Sequence, residues 1–266
     1  MSVFRATQSV EQFAIEAVGL HVRKLFKHKT INYNYPSLIK LAFNDAMTYN
    51  PETGKGGTVM GLKFRTHKTK SYNKQHLGVL ENLLWAKYHD ADYRFDTISD
   101  SDYLQAFSII ALKEASGPDL TEYLRFGRED ATDESQLEGA LDVPQPEDGA
   151  TSLRDAFLAK GFDEREMVAL WSVYMYGVYR TAYEKSFTDY HLLSNDYFKY
   201  LNDESKDNNY ALDKIIKGDD ALNEFAQQFA TDKKEFHTAF TDAYLKLYTL
   251  GNDEKLLFLE LPTFEY

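Results

Sequence analysis

The sequence predicts an all-α protein, on three observations. Apolar residues recur at helical spacing through most of its 266 residues, 43% of which are apolar and 15% aromatic, and turn formers gather into two blocks. The first stripe, Val10, Phe13, Ala14, Val18, His21 and Val22, predicts a helix over Val10–Lys27. Arg5–Lys29 is basic with few acids, as in a transit peptide, but the stripe reads as a helix of the mature protein. Leu38, Leu41, Ala42 and Ala46 share one face of a second helix, Tyr35–Tyr49. Asn50–Gly57 is a loop of glycines and turn formers. Further helices are predicted over Lys74–Tyr88, Asp100–Glu114, Asp163–Tyr183, Asp219–Thr231 and Lys233–Leu250. Ser101 is placed to start one of them and Thr231-Asp232 another, because short polar side chains satisfy the open N–H groups of a first turn. Gly127–Thr151, acidic and carrying Pro144 and Pro146, reads as a long surface loop between two helical halves, with Glu129–Glu134 as a solvated charge run.

Composition narrows the chemistry. With 42 acidic against 30 basic residues, the formal charge of -12 disfavours nucleic acid and anionic lipid as partners. A mean hydropathy of -0.50 and the lack of an 18-residue apolar run argue against a membrane span. Without cysteine there is no disulfide, thiolate ligand or cysteine nucleophile. The start shows no apolar signal core with a small-residue cleavage site, so secretion is not expected. His21, His28, His67, His76, His89 and His237 are scattered without metal-ligand spacing. No Ser-His-Asp set, phosphate loop or carboxylate pair stands out.

A family appears at Leu38–Asn44, Leu-Ile-Lys-Leu-Ala-Phe-Asn, followed by Asp45-Ala46-Met47-Thr48-Tyr49-Asn50. This resembles the distal helix of class I haem peroxidases, Leu-x-Arg-Leu-Ala-Trp-His, the group of ascorbate and cytochrome c peroxidases. Further marks follow in the family's order: Gly56-Gly57-Thr58, Gly117-Pro118, Gly127-Arg128-Glu129-Asp130, Leu153–Phe157, Met167–Leu170, Asn195–Phe198 and Ala211–Lys214. Phe236–Leu250 resembles the last helix of that fold, so the likeness runs from about Gln12 to Gly251. It implies an all-α, two-lobed fold: a distal lobe over 1–151, a proximal lobe over 152–251, and an apolar C-terminal extension, 252–266.

The resemblance also says what a working member needs, and this chain departs from it. The distal acid–base histidine falls on Asn44, an amide that cannot take up and return a proton. The distal arginine falls on Lys40, which keeps the charge without the rigid fork, and the distal tryptophan on Phe43. The proximal histidine falls on Tyr174, a basic residue downstream on Tyr183, and the aspartate that orients the histidine is implied at Asp213. Tyr174 is open to two readings: an aromatic that fills the core with Trp171 and Val178, or a phenolate ligand to haem b with Arg180 as its nearby cation and Lys40 on the distal side. Trp171, Tyr176, Tyr179 and Tyr183 are bulky where the family is small or basic, as collapse of a vacated pocket would require. His191 is read as a loop histidine.

The expectation is therefore a pseudoenzyme without haem or metal, acting as an accessory subunit in a protein complex. By analogy with the family its site is inside the cell, in a mitochondrion or plastid rather than the cytosol. Leu256, Leu257, Phe258, Leu259 and Leu261 form a tail too apolar to be solvated, docked either on a partner or on the chain itself.

Overall fold

The computed structural model describes residues 35–89, 98–176, 193–205, 209–252 and 257–258. The expected helix Val10–Lys27, the positions Tyr179, Arg180, Tyr183 and His191, and most of the C-terminal tail lie outside them.

The described chain is helical apart from one short ribbon. Helix α1, Tyr35–Met47, is the centrepiece: every one of its residues except Lys40 is buried. The one-face stripe Leu38, Leu41, Ala42 and Ala46 is thus only part of what it buries, and Ser37, Asn44 and Asp45 are enclosed with it. The predicted Lys74–Tyr88 helix is instead two, α3, Ser71–Lys74, and α4, Leu77–His89, preceded by a single turn α2, Arg65–Lys68. The break falls where His76 turns inward to bond Ser37 of α1.

Helix α5, Asp100–Glu114, matches its predicted bounds, but its start is made differently. Ser99, not Ser101, is the N-cap, its hydroxyl accepting from the Asp102 N–H. The Asp130 carboxylate, from another part of the chain, accepts from the N–H groups of Asp100 and Ser101, both at 2.8 Å. Ser101 is buried and donates its hydroxyl to the Thr58 carbonyl at 2.7 Å.

The segment 127–151 is not one featureless loop. Strand β1, Arg125–Phe126, precedes it, two 3-10 turns at Glu134–Leu137 and Pro146–Asp148 lie within it, and helix α6, Ala150–Leu158, begins before it ends. Nor is Glu129–Glu134 merely solvated, since Asp130 caps α5 and Glu134 accepts from the Thr66 N–H.

Helix α7, Glu164–Met175, opens with a reciprocal cap between Asp163 and Glu166. Short helices α8, Asp196–Leu201, and α9, Ala211–Lys217, lead to α10, Asp220–Thr231, and α11, Lys233–Thr249. Asp219 and Asp232 cap the last two, as the Thr231-Asp232 signal anticipated for α11.

Packing places α1 against α5 on one side and against α7 and α11 on the other, with α11 also lying along α7. One apolar cluster runs through all of these helices. The seam between α1 and α7 is therefore interior, and it is where the family's motifs meet.

Strand β2, Leu257–Phe258, pairs antiparallel with β1, Phe258 opposite Arg125 and Leu257 opposite Phe126. This much of the C-terminal tail is bonded by its backbone to its own chain.

Candidate functional site

The α1–α7 seam brings Lys40 and Phe43 against Tyr174, with Asn44 next to Phe43 on α1. Phe43 is fully enclosed, and its ring meets the Tyr174 ring edge-on with centroids 5.2 Å apart. Behind them Phe157 touches Phe43 at 6.3 Å, Trp171 at 5.9 Å and Phe162 at 5.5 Å, forming a continuous aromatic string between the helices. Trp171 is wholly buried, and its indole N–H has no hydrogen-bond partner among the described residues. An unmet donor of this kind costs about 1–3 kcal/mol. Here apolar volume outweighs polar satisfaction.

Tyr174 is held by three contacts. Its hydroxyl donates to the Pro144 carbonyl at 2.5 Å, its backbone carbonyl accepts from the Lys40 ammonium at 3.2 Å, and its ring packs on Phe43. Burial raises its pKa well above the ordinary tyrosine value, and the nearby carboxylates of Asp148 and Glu147 add to the rise. Each effect works against a phenolate. Lys40 has no carboxylate partner among the described residues, and burial lowers its pKa to about 8.

Asn44 is fixed by its amide. Its Nδ2 donates to Asn73 Oδ1 at 2.8 Å and, weakly, to the Tyr72 carbonyl at 3.4 Å; Asn73 in turn donates to the His67 carbonyl. The chain of amides is well made but has no group that gains or loses a proton near neutral pH. A buried imidazole close to Lys40 is His76. Its Nδ1 shares a 2.9 Å hydrogen bond with Ser37 Oγ, its Nε2 lies 3.2 Å from Gln75 Nε2, and burial, reinforced by Lys40, lowers its pKa to about 4. Both ring nitrogens are thus engaged, and near pH 7 the ring is neutral.

Asp213 does not behave as the motif implied. It is completely buried, but it accepts from the Tyr197 hydroxyl at 3.0 Å and the Tyr210 N–H at 3.3 Å, not from Tyr174. Nor is it among the charges that act on the Tyr174 hydroxyl. The carboxylate has become a helix-start cap for α9. Its pKa is raised by burial, against the hydrogen bonds that favour the charge.

A flat macrocycle lying between two side chains needs about 7 Å between them, twice a carbon contact of roughly 3.5 Å. Phe43 and Tyr174 already touch at 5.2 Å. As arranged, these side chains do not fit a haem between them.

Sequence reading missed three polar features around α1. One is the His76–Ser37 pair. Another is Asp45, a buried carboxylate whose Oδ2 accepts from the Met60 N–H at 2.9 Å while Oδ1 has no partner among the described residues. Burial pushes it up to about 7, against the N–H groups of Met60, Gly61 and Leu62, with Asp130 adding to the rise. The third is Arg128, which donates to Asp102 at 2.7 Å, to the Tyr248 carbonyl at 2.7 Å and to Thr58, and lies over the Tyr248 ring. The signal for Arg128 and Asp130 was in the Gly-Arg-Glu-Asp motif, but no spacing rule pointed to their partners.

Among the described residues no cluster of side chains could hold a metal ion, and no helix is long and apolar enough to cross a membrane.

Comparison with known proteins fits this geometry to a family. Over 245 residues the chain is 29% identical to L-ascorbate peroxidase T, chloroplastic, of Arabidopsis thaliana, covering 82% of this chain and 56% of that one. Against L-ascorbate peroxidase 2, cytosolic, of the same plant, it is 28% identical, with 83% and 86% covered. A putative mitochondrial cytochrome c peroxidase of Yarrowia lipolytica is 24% identical, with 81% of each chain covered. The chain thus spans little more than half the length of the first of these relatives. The peroxidase family profile matches residues 18–248. With its helices, motif order and α1–α7 seam, this chain belongs to the peroxidase family, in the class I group of ascorbate and cytochrome c peroxidases.

Proposed function

We propose that this chain is a peroxidase-family protein without peroxidase turnover and without haem, serving as a structural or accessory subunit of a protein assembly. The observation that carries the reading is Asn44. Peroxide cleavage needs a group that moves a proton between two oxygens, worth about 10²–10⁴ in rate, and an amide bonded to Asn73 does not supply it. His76 is bonded to Ser37 and offers no substitute. The alternative, a haem protein with Tyr174 on the iron, is opposed by the tyrosine's raised pKa, its bond to Pro144 and its contact with Phe43.

A mitochondrial or plastid site is part of the proposal. Relatives named chloroplastic and mitochondrial support it, although cytosolic and peroxisomal ones also match. The partner is a protein, since the charge of -12 disfavours nucleic acid, and the tail with Leu256, Leu257, Phe258, Leu259 and Leu261 is the proposed contact element.

The test has two arms. Purified protein is assayed for peroxide consumption with ascorbate and with reduced cytochrome c, with and without added hemin. Tagged protein is also recovered from its native source and sized. Turnover no greater than free hemin, with recovery in a large complex, is expected. Turnover well above that background, or recovery as a free monomer, would sink the proposal.

A further inference from the structure

We infer that Tyr174 is a clasp that closes the slot between α1 and α7 and takes over the bridging role a prosthetic group would have there. The inference rests on the haem-free reading above and deepens it. It says what holds the two sides together and why hemin is refused.

A histidine at this place is too short to cross the seam and touch both the opposing ring and the 143–148 segment; the longer, hydroxyl-tipped tyrosine touches both. Its ring edge rests on Phe43, and its hydroxyl ends on the Pro144 carbonyl. Lys40, the only residue of α1 that is not buried, returns the contact by donating to the Tyr174 carbonyl. Three ties of different kinds thus converge on one residue: a ring contact to α1, a neutral hydrogen bond to the segment before α6, and a charge-assisted bond from α1 to the α7 backbone.

The carboxylates facing the hydroxyl reinforce the clasp. Phenolate would leave the Pro144 carbonyl without a donor and place a negative charge near Asp148 and Glu147. The hydroxyl therefore remains a donor across the ordinary pH range. The aromatic string of Phe157, Phe162 and Trp171 backs Phe43, so the surface on which the Tyr174 ring rests is held in place by close packing.

The experiment titrates hemin into the full-length protein and its Tyr174→Phe and Lys40→Met variants, reading the Soret band, the melting temperature and amide hydrogen exchange. Wild type is expected to give no saturable one-to-one Soret band and no rise in melting temperature. Tyr174→Phe keeps the ring and loses only the hydroxyl. It is expected to melt a few degrees lower and to exchange at least several-fold faster at 143–148 and at the end of α7, with the rest of the chain unchanged. Lys40→Met should loosen the same end of α7. Saturable stoichiometric hemin binding by wild type overturns the inference, and so does a Tyr174→Phe variant whose melting and local exchange match wild type. Hemin binding without peroxide turnover would remove this inference and the haem-free clause while leaving the non-catalytic reading intact; turnover would remove the function itself.

Discussion

Two regions on either side of α1 solve the problem of burial in opposite ways. Toward α5, the interior holds charges. Arg128 and Asp102 are both enclosed and paired, Lys87 bonds Asp100 at 2.5 Å, and Lys63 reaches Asp100 and Asp130. All of these ions but Lys63 also have backbone or hydroxyl partners, so little of their hydrogen-bonding capacity is wasted. Toward α7 lie rings, the half-buried Lys40 ammonium and an indole N–H, and among the described residues the ammonium has no counter-ion and the indole no acceptor. The difference teaches where the family pattern is structural. Gly-Arg-Glu-Asp is present because its side chains fasten backbone segments that are far apart in sequence. The seam positions can change as long as volume is filled, because in the pattern their residues served chemistry.

The largest expected effect tests the ionic side. Arg128→Met leaves Asp102 buried with its charge uncompensated, and removing one partner of such a pair costs about 3–5 kcal/mol. Urea unfolding should show that loss, while Arg128→Met with Asp102→Leu together should recover part of it. A single variant within about 1 kcal/mol of wild type would mean that this region is not the frame described here.

A middle-sized effect comes from Asp45, the one carboxylate of α1 left half satisfied. Its folded pKa of about 7 lies above the ordinary 3.8, so the fold favours the protonated form. Its contribution is complete below the unfolded value and is lost as pH rises from about 4 to about 7. His76 works in the opposite sense, since its pKa is lowered to about 4 and stability falls as pH drops from 6.5 toward that value. Asp45→Asn cannot titrate but still presents an oxygen to the Met60 N–H. Its melting temperature relative to wild type should therefore be higher at pH 8 than at pH 5, with the His76 effect cancelling in the comparison. Equal differences at the two pH values would show that Asp45 does not titrate in this range.

The smallest effect concerns the ribbon. Deleting Lys255–Tyr266 removes the pairing of β2 with β1, which should cost about 1 kcal/mol for so few hydrogen bonds. Thermal melting gives the self-docked share, and co-purification from the native source gives the partner's share. A large drop in melting temperature with the partner set intact would assign the tail wholly to its own chain.

Much of this was legible in the sequence. The helical period gave α1, α5, α10 and α11 to within two residues, because each is long and buries a face. The short helices escaped, since α2, α3, α8 and α9 hold too few turns for a period to register. Of the positions that motif order singled out, Lys40 and Phe43 meet Tyr174 at one seam, while Asn44 bonds Tyr72 and Asn73. Motif order misplaced Asp213, because a buried carboxylate takes whichever donors surround it, and here those are Tyr197 and Tyr210. The N-cap at Ser99 was missed in favour of Ser101 because both are serines two residues apart, and a carboxylate 30 positions away settles the turn.

The β1–β2 ribbon also has a consequence for folding. Arg125 and Phe126 meet partners at 257 and 258, across a loop of about half the chain. Until β2 is in place, β1 keeps an open edge, and an unpaired edge is a template for the wrong strand. Tyr248 holds the same strand from α11, its hydroxyl accepting from the Arg125 N–H and donating to the Arg125 carbonyl. A single hydroxyl thus satisfies both backbone groups of Arg125 without any help from β2.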